Sequence, residues 1–226
     1  MIVGGGSGIG YAVAQQAMTA GAQVIIASRS SQKLSAAAKQ LGGGAQTEVV
    51  DATNDESVAD FFRRAGHFDH LAVTIKPPLP AGRFLENEVD AVMAAFDAKF
   101  WGQYRLAKQG AQYIRQNGSI TFTSGIASRR SYPGYSAVSA MNAATEALTK
   151  AIAIELAPIR VNAVCPGFVD TEPPTPGRAQ HVKTLAPILP MNRLATASEI
   201  AGAYLYLFSN SYSTGTVIVV DGGATG

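Results

Sequence analysis

The chain has 226 residues, of which 47% are hydrophobic and 15% charged, and its formal net charge is +2. This composition favours a folded protein with a sizeable core over a disordered one, and so small a charge argues against a nucleic-acid or membrane surface. Cys165 is the one cysteine, so no intrachain disulfide can form. The sequence shows neither a secretory signal nor an apolar run near the ~20 residues of a membrane span. We therefore expect a cytoplasmic protein.

Seven short segments are predicted to be strands because most are apolar throughout, as strands covered on both faces are. They comprise residues 1–3, 23–27, 47–50, 70–75, 119–123, 159–164 and 216–220. The predicted helices comprise residues 9–20, 31–41, 57–65, 88–115, 136–157 and 197–208. This alternation predicts an α/β fold with residues 1–226 as a single domain: a Rossmann-like, doubly wound parallel sheet of about seven strands with helices on both faces. The proline-rich stretch 173–190 is long and irregular, so we expect a lid-like segment around residues 168–195.

A glycine-rich stretch, VGGGSGIG, lies between the first predicted strand and the first helix. Glycines permit a tight turn and close approach of a ligand, and the helix N terminus offers free N–H groups to a pyrophosphate. A glycine run alone is weak evidence, but its place between strand and helix predicts a dinucleotide site. The residues predicted to contact the cofactor here are Gly4, Gly6, Ser7, Gly8, Ile9 and Gly10.

The ends of the next two predicted strands indicate which cofactor binds. Ser28 and Arg29 stand where an NAD site usually has a carboxylate, and a guanidinium group can bind a 2′-phosphate through two hydrogen bonds. This favours NADP(H), the alternative being that Arg29 is an ordinary surface arginine. Asp51, followed by Ala52, is predicted to accept a hydrogen bond from the adenine amino group; alternatively, it caps the helix that starts near Asn54.

These motifs together resemble the short-chain dehydrogenase/reductase family over nearly the whole chain. Gly4-x-x-x-Gly8-x-Gly10 is similar to the family's cofactor loop, and DAT at 51–53 to its adenine-binding turn. NGSITFTS at 117–124 resembles its fifth strand, and IRVNAVCPGFVDT at 159–171 resembles the segment that holds the nicotinamide carboxamide. RLATASEIAGAYLYL and TGTVIVVDGG resemble its last helix and last strand.

The resemblance implies a small-molecule substrate and a homodimer or homotetramer, because in this family two long helices commonly build the interface. It also implies further cofactor contacts, at Thr74, Pro166, Gly167, Val169 and Thr171.

In this family a Tyr and a Lys four residues apart lie on one helix face beside the nicotinamide, and the Lys lowers the pKa of the Tyr. Two registers are open here. Either Tyr135 is the acid and Ser139 replaces the lysine, or VSAMN stands in place of Y-x-A-S-K. The string VSAMNAATEALTK at 138–150 fits the family pattern without a gap, which favours the second register. That register puts Val138 at the Tyr position and Asn142 at the Lys position.

The other two members of the family's Asn-Ser-Tyr-Lys tetrad are also changed on this resemblance, with Gly125 at the Ser position and Lys99 at the Asn position. We therefore expect a divergent member of the family, in which other groups take over the roles of the tetrad. The Lys99 amine can stabilise an oxyanion, Tyr135 can reach in as a substitute acid from one turn earlier on the helix, and Ser124 and Ser139 can contact substrate. The alternatives are a solvated helix lysine, a serine bonded to local backbone, and a loop or interface tyrosine.

Two functions remain open from the sequence. One is an NADP(H)-dependent oxidoreductase acting on an unknown carbonyl or alcohol substrate, and the other is a non-catalytic NADP(H)-binding sensor or scaffold that has lost turnover. No metal site is expected, because His67 and His70 have no third ligand at suitable spacing. Cys165 is predicted to be a buried small apolar residue and not a nucleophile.

Overall fold

The computed structural model describes residues 1–77, 82–171 and 175–226. Its main sheet has seven strands, and every neighbouring pair in it is parallel. The strands are, in order across the sheet, β3 (Gln46–Val49), β2 (Ile25–Ser28), β1 (Ile2–Val3), β4 (Phe68–Val73), β5 (Ile114–Thr123), β6 (Arg160–Pro166) and β9 (Val217–Val220). This confirms the predicted Rossmann-like sheet. Two short strands, β7 (Val169–Asp170) and β8 (Ala195–Thr196), pair separately.

Helices cover both faces of the sheet. They are α1 (Gly8–Thr19), α2 (Ser31–Gln40), α3 (Asp55–Ala65), α4 (Val89–Phe96), α5 (Gly102–Gly110), α6 (Ser136–Glu155), α7 (Pro176–Leu185) and α8 (Ala197–Ser209). Successive strand residues belong to different core clusters: Val3 packs in the cluster of α3, α5 and α6, and Ile2 in the cluster of α1, α2 and α8. Both strand faces are therefore buried, which explains why the strands are apolar throughout.

The helix predicted over residues 88–115 is interrupted. Between α4 and α5 the chain forms a π-helix, Asp97–Trp101, and after α5 a single 3₁₀ turn leads into β5 at Ile114. The predicted helix end at residue 115 is therefore wrong. Short π-helical segments within α-helices often occur at functional sites, and this one contains Lys99.

The expectation of an irregular stretch over residues 173–190 is wrong where the structure describes it. Residues Pro176–Leu185 form α7, and a 3₁₀ turn, Ala186–Ile188, follows. Proline is tolerated at the first position of a helix because its missing N–H has no partner there, so Pro176 begins this helix instead of breaking it. Residues 172–174 of the predicted lid lie outside the described residues. Within the described part of the chain, no helix has the length and apolar character needed to cross a membrane.

Candidate active site

The glycine-rich loop lies at the carboxyl end of the sheet, beside the point where the strand order reverses between β1 and β4. Ligands of open α/β sheets bind in this crevice. Gly4 and Gly8 have φ angles of 92° and 55°, which residues with side chains rarely adopt. A side chain at Gly10 would collide with the Gly4 carbonyl oxygen and the Thr74 hydroxyl, which itself donates to the Val3 carbonyl oxygen at 3.1 Å. Glycine therefore lets the loop turn tightly over Thr74.

The segment after β6 forms the opposite wall of the crevice. A Cβ atom built on Gly8 would lie 3.2 Å from the Thr171 Cβ atom, so the two segments approach each other closely. Ser7 precedes α1, is exposed and makes no side-chain capping hydrogen bond. The predicted cofactor residues on these two walls are Gly4, Gly6, Ser7, Gly8, Ile9 and Gly10 on one and Pro166, Gly167, Val169 and Thr171 on the other.

The β2–α2 turn brings basic residues close to the glycine loop. A Cβ atom built on Gly6 would lie 3.6 Å from both the Ser28 hydroxyl oxygen and the Lys33 Cβ atom. Arg29, in the same turn, is exposed. Lys33 was not predicted from the sequence, although its place in the first turn of the helix after Ser28 and Arg29 was a signal that could have identified it.

Asp51 is held in a turn beyond β3. Its Oδ1 atom accepts hydrogen bonds from the Thr53 backbone N–H at 3.0 Å and the Thr53 hydroxyl at 2.8 Å. The first of these bonds lowers the pKa of Asp51 most, and the positive charges of Arg29 and Arg105 lower it further. The cap of α3 is Asn54, whose side chain accepts from the Ser57 N–H at 2.8 Å, so the alternative that Asp51 caps this helix is wrong. Its neighbour Ala52 is buried.

The Lys99 side chain extends from the π-helix into the protein interior. The residue is only 8% exposed, and its Nζ atom donates a hydrogen bond to the Ser124 carbonyl oxygen at 3.3 Å. Burial lowers the pKa of Lys99 to about 8, because a charged amine is poorly solvated there. The alternative of a solvated helix lysine is therefore excluded.

Three further positions of the predicted site lie on α6 or against it. Asn142 is only 2% exposed, and its Oδ1 atom has no hydrogen-bond partner. A Cβ atom built on Gly125 would lie 2.9 Å from the Asn142 Nδ2 atom, so glycine at 125 lets this turn approach α6. Val138 is buried in an apolar cluster with Ala95 and Met141. An unpaired buried acceptor costs free energy, and the Asn142 Oδ1 atom is such an acceptor.

Ser124 and Tyr135 have other contacts. The Ser124 hydroxyl donates to the Glu146 Oε1 atom at 3.0 Å and lies 3.5 Å from the Val164 carbonyl oxygen, so the alternative of a bond to local backbone is wrong. Tyr135 directly precedes α6, packs with Val138, and meets the Tyr132 ring edge-on with centroids 6.1 Å apart. Glu146 was missed from the sequence, although a carboxylate four residues after Asn142 in an alanine-rich helix was a signal.

Two further titratable residues, Cys165 and His70, make structural contacts. Cys165 is fully buried, and burial raises the pKa of its thiol. His70 stacks on Phe208, and its Nδ1 atom lies 2.9 Å from the Ser119 hydroxyl oxygen. Among the described residues, no group of three His, Cys, Asp or Glu side chains is placed to hold a metal ion.

Comparison with known proteins identifies the class. A family model described as enoyl-(acyl carrier protein) reductase matches residues 4–225. The chain is 30% identical to the short-chain dehydrogenase/reductase ucsE of Acremonium sp, over 99% of this chain and 94% of that protein. It is 32% identical to the galactitol 2-dehydrogenase (L-tagatose-forming) of Cereibacter sphaeroides, over 99% and 93%. A crystal structure of a small-chain dehydrogenase in complex with NADPH matches with 40% identity, 99% and 96% coverage and a TM-score of 0.83.

The fold and these matches define an oxidoreductase with a Rossmann-like sheet. The chain belongs to the short-chain dehydrogenase/reductase family. Members of this family bind nicotinamide cofactors, act in general on small molecules and commonly form oligomers.

Proposed function

We propose that the protein is an NADP(H)-dependent oxidoreductase acting on a carbonyl or alcohol substrate, with Lys99 as proton donor in place of the family's tyrosine. The observation that carries this proposal is the buried Lys99 amine, whose recorded hydrogen bond is to one main-chain oxygen. On this proposal residues 1–226 form one cofactor-binding domain of a cytoplasmic protein, and the segment around 168–195 covers the site. The Asn-Ser-Tyr-Lys tetrad is absent.

The residues present fit NADP(H). Gly4, Gly8 and Gly10 permit close approach of the pyrophosphate to the N terminus of α1. Arg29 and Lys33 supply positive charge at the β2–α2 turn, where a 2′-phosphate would bind. The NADPH complex of the 40% identical small-chain dehydrogenase supports the same choice. When bound, the nicotinamide gives or takes a hydride.

Lys99 has the properties of a general acid. An acid works best when its pKa lies near the working pH, and burial brings the pKa of Lys99 to about 8. An ammonium group has three N–H donors, so one can bond the Ser124 carbonyl oxygen while another bonds a substrate oxygen. The ammonium group would release its proton to that oxygen as negative charge develops there. The unpaired Asn142 Oδ1 atom would accept a hydroxyl donor from the bound molecules.

The alternative, a non-catalytic NADP(H)-binding protein, is supported by the changed tetrad, since Val138 cannot transfer a proton. It gives no reason, however, for burying an amine, which costs folding free energy unless the charge is used or compensated. Lys99 therefore favours the enzyme.

Turnover of Lys99→Met tests the proposal. NADPH oxidation is measured over a panel of ketones, aldehydes and enones, and NADPH affinity is measured separately by calorimetry. We expect Lys99→Met to lower turnover by about 100-fold or more, because a general acid contributes about 10²–10⁴ in rate, with NADPH affinity nearly unchanged. Tyr135→Phe should stay within a few-fold of the native rate.

Normal turnover of Lys99→Met would remove Lys99 from the mechanism. A large loss in Tyr135→Phe at unchanged stability would favour the register with Tyr135 as the acid. NADPH binding without turnover on any member of the panel would favour the sensor.

A further inference from the structure

Glu146 is a partly buried carboxylate with no assigned role. It lies on α6 four residues after Asn142, and therefore on the same helix face. Its side chain is only 12% exposed. A carboxylate so far buried is retained only when hydrogen bonds compensate its lost hydration.

Three hydrogen bonds compensate the lost hydration of the Glu146 carboxylate. Its Oε1 atom accepts from the Ser124 hydroxyl at 3.0 Å and the Ser128 hydroxyl at 2.7 Å, and its Oε2 atom accepts from the Arg129 guanidinium group at 3.0 Å. All three donors belong to one short segment, residues 124–129, which follows β5. One side chain of α6 therefore ties this whole segment to the helix.

The same segment carries the partner of Lys99. The Ser124 carbonyl oxygen accepts the Lys99 hydrogen bond, while the Ser124 N–H bonds the Val164 carbonyl oxygen on β6 at 2.9 Å. The Ser128 hydroxyl oxygen also lies 2.9 Å from the Gly125 carbonyl oxygen, so its single proton is shared between that oxygen and Glu146. Any movement of this segment away from α6 therefore moves the acceptor of the Lys99 amine.

We propose that Glu146 is a positioning residue for Lys99: its carboxylate anchors residues 124–129 so that the Ser124 carbonyl oxygen stays in place to bind the Lys99 ammonium group. The inference deepens the proposed function, and its relevance to catalysis rests on it. Glu146 itself need not touch substrate or cofactor.

The charges near Lys99 set the expected direction of the effect. The Cys165 thiol on β6 is largely protonated near pH 8, because burial raises its pKa; Glu146 and Arg129 interact electrostatically with the same thiol, which places their charges on the Cys165 side of Lys99. Asp97 lies in the π-helix with Lys99, and its side chain forms a salt bridge of 2.8 Å with Arg105 on α5. Replacing Glu146 by glutamine removes a negative charge and loosens the Ser124 acceptor. Both changes destabilise the ammonium form, so the pKa of Lys99 should fall.

The test follows the ionisation of Lys99 in the ligand-free protein. Lysine is labelled with ¹³C, the Lys99 signal is assigned by its loss in Lys99→Met, and the signal is titrated by NMR. We expect Glu146→Gln to lower the pKa of Lys99 by about half a unit or more, roughly a threefold change in proton affinity. The matched control is Glu199→Gln on α8, another carboxylate bound to an arginine and to a threonine hydroxyl, which should leave the Lys99 titration unchanged.

An unchanged or raised pKa of Lys99 in Glu146→Gln, or an equal fall in Glu199→Gln, would overturn the inference. If Glu146→Gln does not fold, Ser128→Ala replaces it, since it removes one donor and keeps the carboxylate; a smaller downward shift is then required, because the negative charge remains. The titration needs neither NADPH nor substrate. An inactive protein, or normal turnover of Lys99→Met, would therefore overturn the proposed function and leave this result standing.

Discussion

The buried Lys99 amine makes stability depend on pH in a defined direction. Its pKa is lowered from 10.5 to about 8, so between these values the unfolded chain binds a proton that the folded protein does not. Stability due to this residue therefore rises from about pH 8 to pH 10.5 and is lowest below pH 8. We expect Lys99→Met to raise the free energy of unfolding at pH 7 by on the order of 1–3 kcal/mol, with the gain gone near pH 10.5. Urea denaturation at both pH values measures this difference.

The control for this measurement is Lys108→Met, because Lys108 is an exposed lysine on α5. It should match the native protein at both pH values. A Lys99→Met variant that is less stable than the native protein at pH 7, or whose difference does not change with pH, would contradict burial of a charged amine. Together with the loss of turnover, a gain in stability would be the usual trade between activity and stability.

At the scale of elements, we expect the β2–α2 turn to set cofactor choice. We expect the native protein to bind NADPH more tightly than NADH, and Arg29→Ala to weaken NADPH binding by about tenfold or more, because charge-assisted hydrogen bonds contribute about 1.5–3 kcal/mol. NADH affinity should stay nearly constant, since NADH lacks the 2′-phosphate. Calorimetry with both cofactors measures this.

Arg63→Ala is the control for the cofactor prediction, because Arg63 is an exposed arginine on α3 that pairs with Asp60. It should change neither affinity. Equal affinities of the native protein for the two cofactors would contradict the interpretation of Ser28 and Arg29.

The strands and most helices could be predicted because their signals are local. Strand β6 is buried at every position and is apolar at most of them, and α8 begins with a capping box formed by Thr196 and Glu199. The π-helix at Asp97–Trp101 could not be predicted, because no local residue pattern marks it. Helix α7 was missed because its flanking prolines indicate irregular chain.

The residues of the candidate site likewise divide into those that a local sequence motif identifies and those that only contacts in the folded protein identify. The glycine loop carries a motif whose spacing reflects backbone geometry, so its residues could be named in advance. Lys33 and Glu146 carry no such motif. Lys33 is identified by its approach to Gly6, and Glu146 by three partners at 124–129. Those contacts depend on packing between elements that the sequence does not specify locally.

At the scale of the molecule, large apolar side chains are exposed on α4, the π-helix and α6, and we expect them to form one interaction surface. Met93 is 64% exposed, Trp101 46% and Ile154 82%. Large exposed apolar residues grouped in this way usually mark an interaction surface. We expect a homodimer or homotetramer through this surface, and Trp101→Asp combined with Ile154→Asp should yield monomers in light scattering coupled to size exclusion.

The control for the oligomer prediction is Val49→Asp on edge strand β3, where an apolar residue is also exposed. It should leave the assembly unchanged. A native protein that runs as a monomer, or a double variant that stays oligomeric, would show that this surface is not the interface.

The contact between Gly125 and Asn142 bears on the history of the enzyme. On the proposed register, recovery of a Ser-Tyr-Lys arrangement cannot proceed by one substitution at a time. A serine at 125 would push against the Asn142 amide, and a tyrosine at 138 would have to displace the packing of Val138 on Met141 and Ala95. Each single reversion would therefore lose stability. If the proposed register is correct, we therefore expect substitutions that act on the amine of Lys99 to be tolerated more readily than those that restore a phenol at position 138.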